Sequence, residues 1–400
     1  MEVTAHRRAN AGELIAYAIP PGAVWLDILA AHADSGASFL PIDVRLSERE
    51  QRRLITAASP TMLVTPDEEV LFGGAADADP ERAWAVVATS GTGGEPKLVE
   101  LPRRAVGAAV AGSLSGIDAS AFDPWVCCLT PAHVGGLLVL LRGALAGAPV
   151  EVRDRFDARW LADEAPEGAH VSLVPTMLER LVATAADLAR LGVLLVGGGR
   201  LRPALRDAAA RLGARVVSTY GLTESCGGVA YDGIPFEETD MRIAGDGAIE
   251  LRGPTLMEGY RDDPSATARA FTVDGWLRTG DLGSLDAEGR LVVDGRADDA
   301  IRTGGETVWP DEVEAVLRSE RRVADVAVTG LPDAEWGERV VAWIVPADPA
   351  DPPTLEELRE HCRDGLARFK APREVRLVDD LPRTASGKLR RSVIRDGTYG

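Results

Sequence analysis

Histidine and cysteine are scarce in this chain of 400 residues. The five histidines are scattered, and the spacing of the four cysteines matches no zinc pattern, so no structural metal site is expected. Four thiols in a chain of this length do not form a disulfide scaffold. Such composition is typical of proteins in a reducing compartment, and we expect a cytoplasmic protein.

Excess positive charge and long hydrophobic runs are also missing. Lys and Arg total 44 against 62 Asp and Glu, a net charge of -18, which repels nucleic acid and anionic membrane surfaces at long range. The longest apolar run, residues 135–150, contains Arg142 and is too short to span a bilayer. Residues 1–10 resemble no signal peptide. We therefore expect no nucleic-acid partner and no membrane span, whereas a small anionic ligand is compatible with this composition.

The pattern of apolar residues predicts an α/β fold. Between residues 23 and 219, short apolar strands alternate with helices, as in parallel sheets covered by helices. The predicted strands are 61–65, 84–88, 125–129, 170–174, 193–196 and 215–219, and the predicted helices are 48–57, 104–113, 136–146, 176–184 and 203–212. Ser47 and Glu50 have the spacing of a capping box at the first of these helices.

The pattern changes after Gly227, and we expect a large N-terminal domain followed by a small one. Residues 228–295 are rich in turns and short β-like runs, which predict a β-rich subdomain of the N-terminal domain, residues 1–295. Residues 295–304 are polar and predict a linker. The small α+β domain, residues 296–400, is predicted to have a helix from Pro310, strands at 323–328 and 340–345, and a helix from Thr354 capped by Glu357.

A glycine- and hydroxyl-rich loop follows the predicted strand 84–88. It consists of Thr89, Ser90, Gly91, Thr92, Gly93, Gly94, Glu95, Pro96 and Lys97. Free backbone amides, hydroxyls and an ammonium group suit a polyphosphate, although the spacing is not that of a Walker A loop. A flexible surface turn would explain the same composition.

A second segment lies at the end of the predicted strand 215–219. Tyr220 offers a flat face to a purine base, Thr223 a hydroxyl to a phosphate, and Glu224 an oxygen ligand to Mg²⁺. Strand carboxyl ends are where α/β sheets bind ligands, but a simple strand-to-helix turn is the alternative. The glycines at 197–199 predict another close backbone approach at this sheet edge.

Two further segments carry charged side chains. Asp281, in Thr279-Gly280-Asp281, and Arg296 could divide the two hydroxyls of a ribose, or could form a plain surface ion pair. Lys388, on the Gly/Ser segment 382–388, could neutralise a carboxylate and a phosphate that approach each other, or could belong to a basic tail.

Together, in this order, the four segments resemble those of the adenylate-forming superfamily of acyl-CoA synthetases, adenylation domains and luciferases. The resemblance covers residues from about Ala23 to Arg391. It implies a large N-terminal domain, a small mobile C-terminal domain, and a hinge at Asp298. The implied catalytic residues are Lys388, Thr223, Glu224 and His133, and the implied ATP-binding residues are Thr89, Ser90, Gly91, Thr92, Gly93, Gly94, Lys97, Gly198, Gly199, Tyr220, Gly221, Asp281 and Arg296.

The resemblance also implies the chemistry. A carboxylate attacks the α-phosphate of ATP with Mg²⁺ bound at Glu224, giving an acyl-adenylate and pyrophosphate; coenzyme A then releases AMP. Between the two steps the C-terminal domain turns about Asp298, withdraws Lys388 and brings in the loop with Gly304 and Gly305. The phosphate loop departs from the family pattern at Gly93, where threonine is usual, and at Leu98, where glycine is usual.

Other segments point to the acid. Residues 131–137, 172–176 and 225–228 resemble those of short actinobacterial o-succinylbenzoate–CoA ligases of menaquinone biosynthesis. That resemblance implies that His133 lies beside the acyl group. The acid has two carboxylates, and an arginine, a hydroxyl or a helix N-terminus would suit the distal one. Arg142 and Ser225 are candidates for this role, although no motif fixes them.

Two alternatives are kept. One is a ligase for another aromatic or medium-chain acid, with CoA or a carrier protein as the acceptor. The other is a non-catalytic protein that binds ATP or an acyl-adenylate. The sequence leaves open whether the protein is a homodimer.

Overall fold

A computed structural model describes residues 10–72, 79–89, 97–363, 365–383 and 389–395. The chain divides into two compact units. The larger unit contains Met1–Arg242, Glu250–Thr279 and Leu285–Leu291, and the smaller contains Ile243–Ile249, Gly280–Ser284 and Val292–Gly400. Both units mix helices with sheets, so the predicted α/β class is confirmed.

The elements follow one another closely along the chain. The strands are β1 Leu14–Tyr17, β2 Ser38–Pro41, β3 Met62–Val64, β4 Glu69–Leu71, β5 Ala85–Thr89, β6 Lys97–Leu101, β7 Trp125–Cys127, β8 Val150–Val152, β9 His170–Leu173, β10 Val193–Val196, β11 Arg215–Leu222, β12 Gly227–Tyr231, β13 Ile234–Pro235, β14 Asp240–Ile243, β15 Ala248–Arg252, β16 Gly259–Tyr260, β17 Leu277–Leu285, β18 Leu291–Arg296, β19 Ile301–Thr303, β20 Glu306–Val308, β21 Val323–Asp333, β22 Gly337–Pro346 and β23 Glu374–Leu377. The helices are α1 Val24–Ser35, α2 Glu48–Ala58, α3 Pro80–Ala83, α4 Arg103–Ser115, α5 Val134–Ala146, α6 Ala158–Asp163, α7 Pro175–Val182, α8 Pro203–Arg211, α9 Pro264–Ala270, α10 Pro310–Leu317, α11 Leu355–Cys362 and α12 Arg391–Arg395.

The first sheet has the strand order β16-β6-β5-β2-β1-β3-β4. Its inner strands β5, β2, β1 and β3 are parallel, whereas β4, β6 and β16 join antiparallel. The strands β1 and β2 and the helix α1 were not predicted. All four residues of β1 are buried, so this strand shows no alternation of apolar and polar residues.

The second sheet has the order β13-β12-β11-β10-β9-β7-β8. The strands from β8 to β11 are parallel, and β12 and β13 return antiparallel. The predicted strands at 170–174, 193–196 and 215–219 are confirmed as β9, β10 and β11. Leucine and valine side chains of these strands pack with α6, α7 and α8 in one core, which fixes the strand ends that carry the candidate site.

A third sheet has the order β14-β15-β17-β18, and the small unit has its own sheet, β20-β19-β22-β21, in which β23 pairs with β22. The predicted helices from Pro310 and Thr354 are confirmed as α10 and α11, the latter with the expected capping box. The linker predicted at residues 295–304 contains regular structure. A short 3-10 turn, Ala297–Asp299, connects β18 directly to β19, whose apolar Ile301 is fully buried.

In the described part of the chain, every helix is too short or too polar to cross a bilayer.

Candidate active site

One tyrosine contacts two of the predicted ATP-site residues. The hydroxyl of Tyr260 donates a hydrogen bond of 2.8 Å to Oε1 of Glu224. The ammonium nitrogen of Lys97 lies over the same ring, 4.6 Å from its centroid. The end of the predicted phosphate loop and the predicted magnesium ligand, distant in sequence, are thus brought to one side chain. Tyr260 was missed by the sequence analysis because it lies in a two-residue strand outside every motif.

The second predicted segment, Tyr220–Glu224, covers the end of β11 and the turn that follows it. After Leu222 the chain turns through Thr223–Ser225, and the buried Ser225 hydroxyl accepts a hydrogen bond from the Leu222 N–H and lies 2.9 Å from the Gly227 carbonyl oxygen. A Cβ atom on Gly221 would lie 1.9 Å from that same oxygen, so the pairing of β11 with β12 requires glycine at this position. The turn presents Thr223 and Glu224 beyond the strand end.

The glycine segment after β10 lies against this motif. A Cβ on Gly197 would be 2.2 Å from the hydroxyl oxygen of Thr219, the residue before Tyr220. Gly198 adopts a φ of +72°, which favours glycine, and Gly199 follows at the start of the loop. The close backbone approach expected at this edge is present, and a role of Gly198 and Gly199 in ATP binding stays a prediction.

The predicted acyl-side histidine has a charged neighbourhood that the sequence did not indicate. His133 immediately precedes α5, and its Nε2 lies 3.8 Å from Oδ2 of the buried Asp43. Arg45 donates two hydrogen bonds to that carboxylate, from Nε to Oδ1 at 2.8 Å and from Nη2 to Oδ2 at 2.6 Å. Burial acts to raise the pKa of Asp43, but the hydrogen bonds from Arg45 outweigh it and lower the pKa. An ionised carboxylate therefore faces the imidazole.

Arg142 is a buried cation that forms no ion pair with the described carboxylates. It lies on α5, is 2% exposed, and stacks over the Trp125 ring at 4.2 Å. Its Nη2 donates to the Ser113 hydroxyl, which is also hydrogen-bonded to Tyr231 at 2.7 Å. Its Nε and Nη1 have no hydrogen-bond partner, and no carboxylate of the described residues pairs with it. Desolvation lowers its pKa. A guanidinium so placed is suited to an anion, and the described residues supply none.

The predicted ribose pair is brought together within the small unit. Nη1 of Arg296 lies 3.2 Å from Oδ1 of Asp281, and Asp281 is largely buried. Gly280 adopts a φ of +74°, and a Cβ there would lie 3.1 Å from Nη2 of Arg296. The glycine thus makes room for the guanidinium beside the carboxylate.

The predicted hinge and thiol-side loop also lie in the small unit. The Asp298 carbonyl oxygen accepts a hydrogen bond of 2.8 Å from Arg395 of α12. Gly304 and Gly305 have φ of +60° and +85°, and a Cβ on Gly304 would lie 2.9 Å from the Trp336 ring. Both glycines are therefore needed for the turn between β19 and β20.

Some predicted site residues lie outside the described part of the chain. These are Ser90, Gly91, Thr92, Gly93 and Gly94 of the phosphate loop, and Lys388. The loop's two ends are described: Thr89 and Lys97 are paired across the β5–β6 ladder. Among the described residues, no group of His, Cys, Asp and Glu has the arrangement of a metal cluster, and the four free cysteines are buried.

Two family models match the chain. The model of the AMP-binding enzyme matches residues 73–261, and that of the AMP-binding enzyme C-terminal domain matches residues 312–388. A curated relative, the probable 2-succinylbenzoate–CoA ligase of Mycobacterium tuberculosis H37Rv, is 38% identical over 358 residues, covering 86% of this chain and 92% of the relative. The chain therefore belongs to the AMP-binding enzyme family, as the resemblance of its motifs implied.

The chain is also similar to two further acid–CoA ligases, one compared by sequence and one by structure. The indoleacetate–CoA ligase of Aromatoleum aromaticum is 33% identical over 439 residues, covering 92% of this chain and 85% of the relative. The solved structure of the o-succinylbenzoate CoA synthetase MenE of Bacillus subtilis, in complex with the acyl-adenylate intermediate OSB-AMP, superposes with a TM-score of 0.88 at 27% identity. The superposition covers 98% of this chain and 90% of the MenE chain. A structure of the same enzyme with ATP and magnesium ion has also been solved.

Proposed function

We propose that this protein is an AMP-forming acid–CoA ligase whose substrate is o-succinylbenzoate. A carboxylate and ATP give an acyl-adenylate and pyrophosphate, and coenzyme A then gives the acyl-CoA and AMP. The observation that carries the proposal is the convergence of Lys97 and Glu224 on Tyr260. Both groups contact one side chain, which supports the proposal that Lys97 binds phosphate oxygens and Glu224 binds Mg²⁺, as Mg·ATP chemistry needs.

The carboxylate of Glu224 has the chemistry of a magnesium ligand. Hard divalent cations take oxygen ligands, and only Oε1 of this carboxylate is engaged by Tyr260. The bound ion would neutralise phosphate charge and favour displacement of pyrophosphate. Thr223, next to Glu224 on the same turn, is proposed to donate its hydroxyl to a phosphate.

The remaining roles are proposed from the family motifs, and the local geometry supports several of them. Asp281 and Arg296 form a carboxylate–guanidinium pair that could share a ribose diol. Tyr220, with Gly221, Gly198 and Gly199, would bind the base and the nucleotide backbone. Lys388 would stabilise the charge that develops as the two anions meet. Residues after 295 would form the mobile domain, turning about Asp298 and exposing the loop with Gly304 and Gly305 to the thiol.

For the acid we propose that His133 lies beside the acyl group and that Arg142 binds the distal carboxylate. The support is that Arg142 is a buried guanidinium with two nitrogen atoms lacking partners. Because the side chain is closed to solvent in this structure, the walls around it would have to move as the acid enters. Ser225 is the weaker alternative, since its hydroxyl already serves the backbone of its own turn.

Exchange of labelled pyrophosphate into ATP, measured with a panel of acids, tests this assignment. We expect exchange with o-succinylbenzoate and its loss by about two powers of ten in Lys388→Ala. Exchange with another acid but none with o-succinylbenzoate would reject the substrate. No exchange with any acid, while ATP still binds, would favour a non-catalytic binding protein.

The second candidate is a ligase for another aromatic acid, which the likeness to an indoleacetate–CoA ligase favours. The same panel separates it when indoleacetate and related monocarboxylates are included. Release of AMP with coenzyme A or with a carrier protein then identifies the acceptor.

We also propose a cytoplasmic location for this protein. Gel filtration would decide whether the enzyme is a homodimer.

A further inference from the structure

We propose that Tyr260 is a positioning residue that holds Lys97 and Glu224 in place for Mg·ATP. This inference rests on the proposed function and adds a residue to the site. Tyr260 acts through these two neighbours. The face of its ring attracts the ammonium group of Lys97, and its hydroxyl orients the carboxylate of Glu224.

The chemistry of tyrosine suits both contacts. The face of an aromatic ring attracts a cation, and 4.6 Å from the centroid is within the range of that attraction. The hydroxyl, at the opposite end from the backbone, donates to an ionised oxygen at 2.8 Å, a charge-assisted hydrogen bond. Phenylalanine would supply only the first contact and leucine neither, so the two can be separated experimentally.

The backbone around Tyr260 is fixed from both sides. Tyr260 pairs with Val99 in the β16–β6 ladder, and the Arg261 N–H donates to the Leu98 carbonyl at 2.8 Å. On the other flank, the Met257 N–H donates to the carbonyl of Glu224 itself at 2.8 Å. The short strand β16 thus ties the strand that follows the phosphate loop to the turn that carries the metal ligand.

The side chain has little freedom. Tyr260 is 8% exposed, and its N–H donates to the Thr267 hydroxyl, which in turn donates to the carbonyl of Asp263 at 2.9 Å. A tyrosine anchored in this way sets the separation of Lys97 and Glu224 before ATP arrives, which lowers the entropy lost on binding.

The contacts leave the two charged groups available to a ligand. Tyr260 engages Oε1 of Glu224, and no described carboxylate forms an ion pair with Lys97. Nothing else along the described chain neutralises that ammonium group, so it stays suited to phosphate oxygens. The consequence is that loss of the hydroxyl should change the response to magnesium, whereas loss of the ring should also change binding of ATP without the metal.

The test compares Tyr260→Phe and Tyr260→Leu in the full chain. We measure the Mg²⁺ concentration that gives half-maximal pyrophosphate exchange, and the Kd of ATP with and without Mg²⁺. Tyr260→Phe should raise the half-maximal Mg²⁺ concentration about tenfold and change the metal-free Kd less than about twofold. Tyr260→Leu should also raise the metal-free Kd, by about threefold or more.

Tyr17→Phe is the matched control, because Tyr17 likewise is buried and hydrogen-bonded through its hydroxyl, at 2.8 Å to Nε2 of His32, away from this site. It should leave the magnesium response unchanged. In Glu224→Gln, the added Tyr260→Phe change should no longer alter the magnesium-dependent gain in ATP affinity. This double variant is read by binding and so does not depend on turnover.

The outcomes distinguish the two proposals. If the wild type gives no exchange with any acid, the proposed function fails. If the wild type is active and Tyr260→Phe keeps its magnesium response, the positioning role of Tyr260 is overturned. It is equally overturned if Tyr17→Phe shifts that response as much, or if the effect persists undiminished in Glu224→Gln.

Discussion

Two arginines, the buried Arg142 and the largely buried Arg391, lie one in each compact unit and have opposite surroundings. Arg391 of the small unit lies between three carboxylates, with Nη2 at 2.6 Å from Asp311 and 2.8 Å from Glu314, and Nη1 at 3.6 Å from Asp299. Burial alone would lower its pKa, but these carboxylates raise it. Arg142 of the large unit is more deeply buried, and no carboxylate of the described residues forms an ion pair with it.

The presence or absence of carboxylates around the two guanidinium groups suggests different roles for Arg391 and Arg142. A buried charge is costly unless paired, so the chain pairs Arg391 and holds α12 against α10 with it. A buried guanidinium without a carboxylate adds no such stability, and Arg142 therefore supports the proposal that an anionic group of the substrate binds there. This contrast makes different predictions for the two residues.

The largest expected effect is on the stability of the small unit. Arg391→Met removes the nearer of the two cations beside the buried Glu314 and leaves only Arg318, at 3.6 Å. Burial already raises the pKa of that carboxyl. We expect a loss of about 3–5 kcal/mol in unfolding free energy. Hydrogen–deuterium exchange over β21 and β22 would measure it in that unit specifically.

Two controls accompany this variant. Arg52→Met breaks an exposed ion pair with Glu48 and should cost less than about 1 kcal/mol. Adding Glu314→Gln to Arg391→Met should restore part of the loss. If Arg391→Met were no more harmful than Arg52→Met, the interpretation of Arg391 as a structural cation would be wrong.

His32 extends the comparison to a buried group that titrates. Its Nδ1 donates to the Ala37 carbonyl at 2.9 Å and its Nε2 accepts from Tyr17, so both ring nitrogens are satisfied within the chain. Desolvation lowers its pKa from 6.5 to about 4. Below pH 6.5 the unfolded chain takes up a proton that the folded chain does not, so stability falls with pH at about 1.4 kcal/mol per unit, reaching about 3 kcal/mol near pH 4.

Denaturant unfolding between pH 7 and pH 4 would measure this effect as the difference between wild type and His32→Gln. The wild type should have the steeper loss of unfolding free energy. Equal slopes would mean that His32 keeps an ordinary pKa in the folded protein.

The sequence predicted the elements whose signals are local. Ser47–Glu50 and Thr354–Glu357 are capping boxes in the structure, and the strand β10 has the predicted bounds. The close backbone approach predicted at residues 197–199 is also present, since a Cβ on Gly197 would lie 2.2 Å from the Thr219 hydroxyl oxygen and Gly198 has a φ of +72°. Motif order was sufficient to indicate the family.

Tertiary contacts were not predictable in this way. Tyr260 lies in a two-residue strand, and its neighbours come from distant parts of the chain: Lys97 begins β6 of the first sheet, and Glu224 lies in the turn after β11 of the second. Asp43 and Arg45 lie near His133 only because β2 ends there. Periodicity cannot indicate such convergence, and it also missed β1, whose four residues are all buried.

The unpaired arginine gives the next prediction. Arg142→Met should reduce kcat/KM for o-succinylbenzoate about a hundredfold, equivalent to about 2–3 kcal/mol, because a charged carboxylate loses its partner. An analogue without the second carboxylate should lose much less. Stability should change by no more than about 1 kcal/mol, since removing an unpaired buried charge is often neutral. A large loss of stability, or equal losses for both acids, would assign Arg142 a structural role like that of Arg391.

The smallest effect is expected at Ser225, the other residue predicted to recognise the second carboxylate. Its hydroxyl accepts from the Leu222 N–H at 3.0 Å and lies 2.9 Å from the Gly227 carbonyl oxygen, so its hydrogen bonds are made within the turn. Ser225→Ala should cost about 1 kcal/mol of stability, because one buried donor loses its partner. The ratio of kcat/KM for the acid to that for the analogue without the second carboxylate should stay within about twofold, because the methyl side chain removes no group directed at the substrate. If that ratio instead fell as far as in Arg142→Met, the serine would share in recognising the carboxylate, and an internally satisfied group could no longer be taken as a structural one.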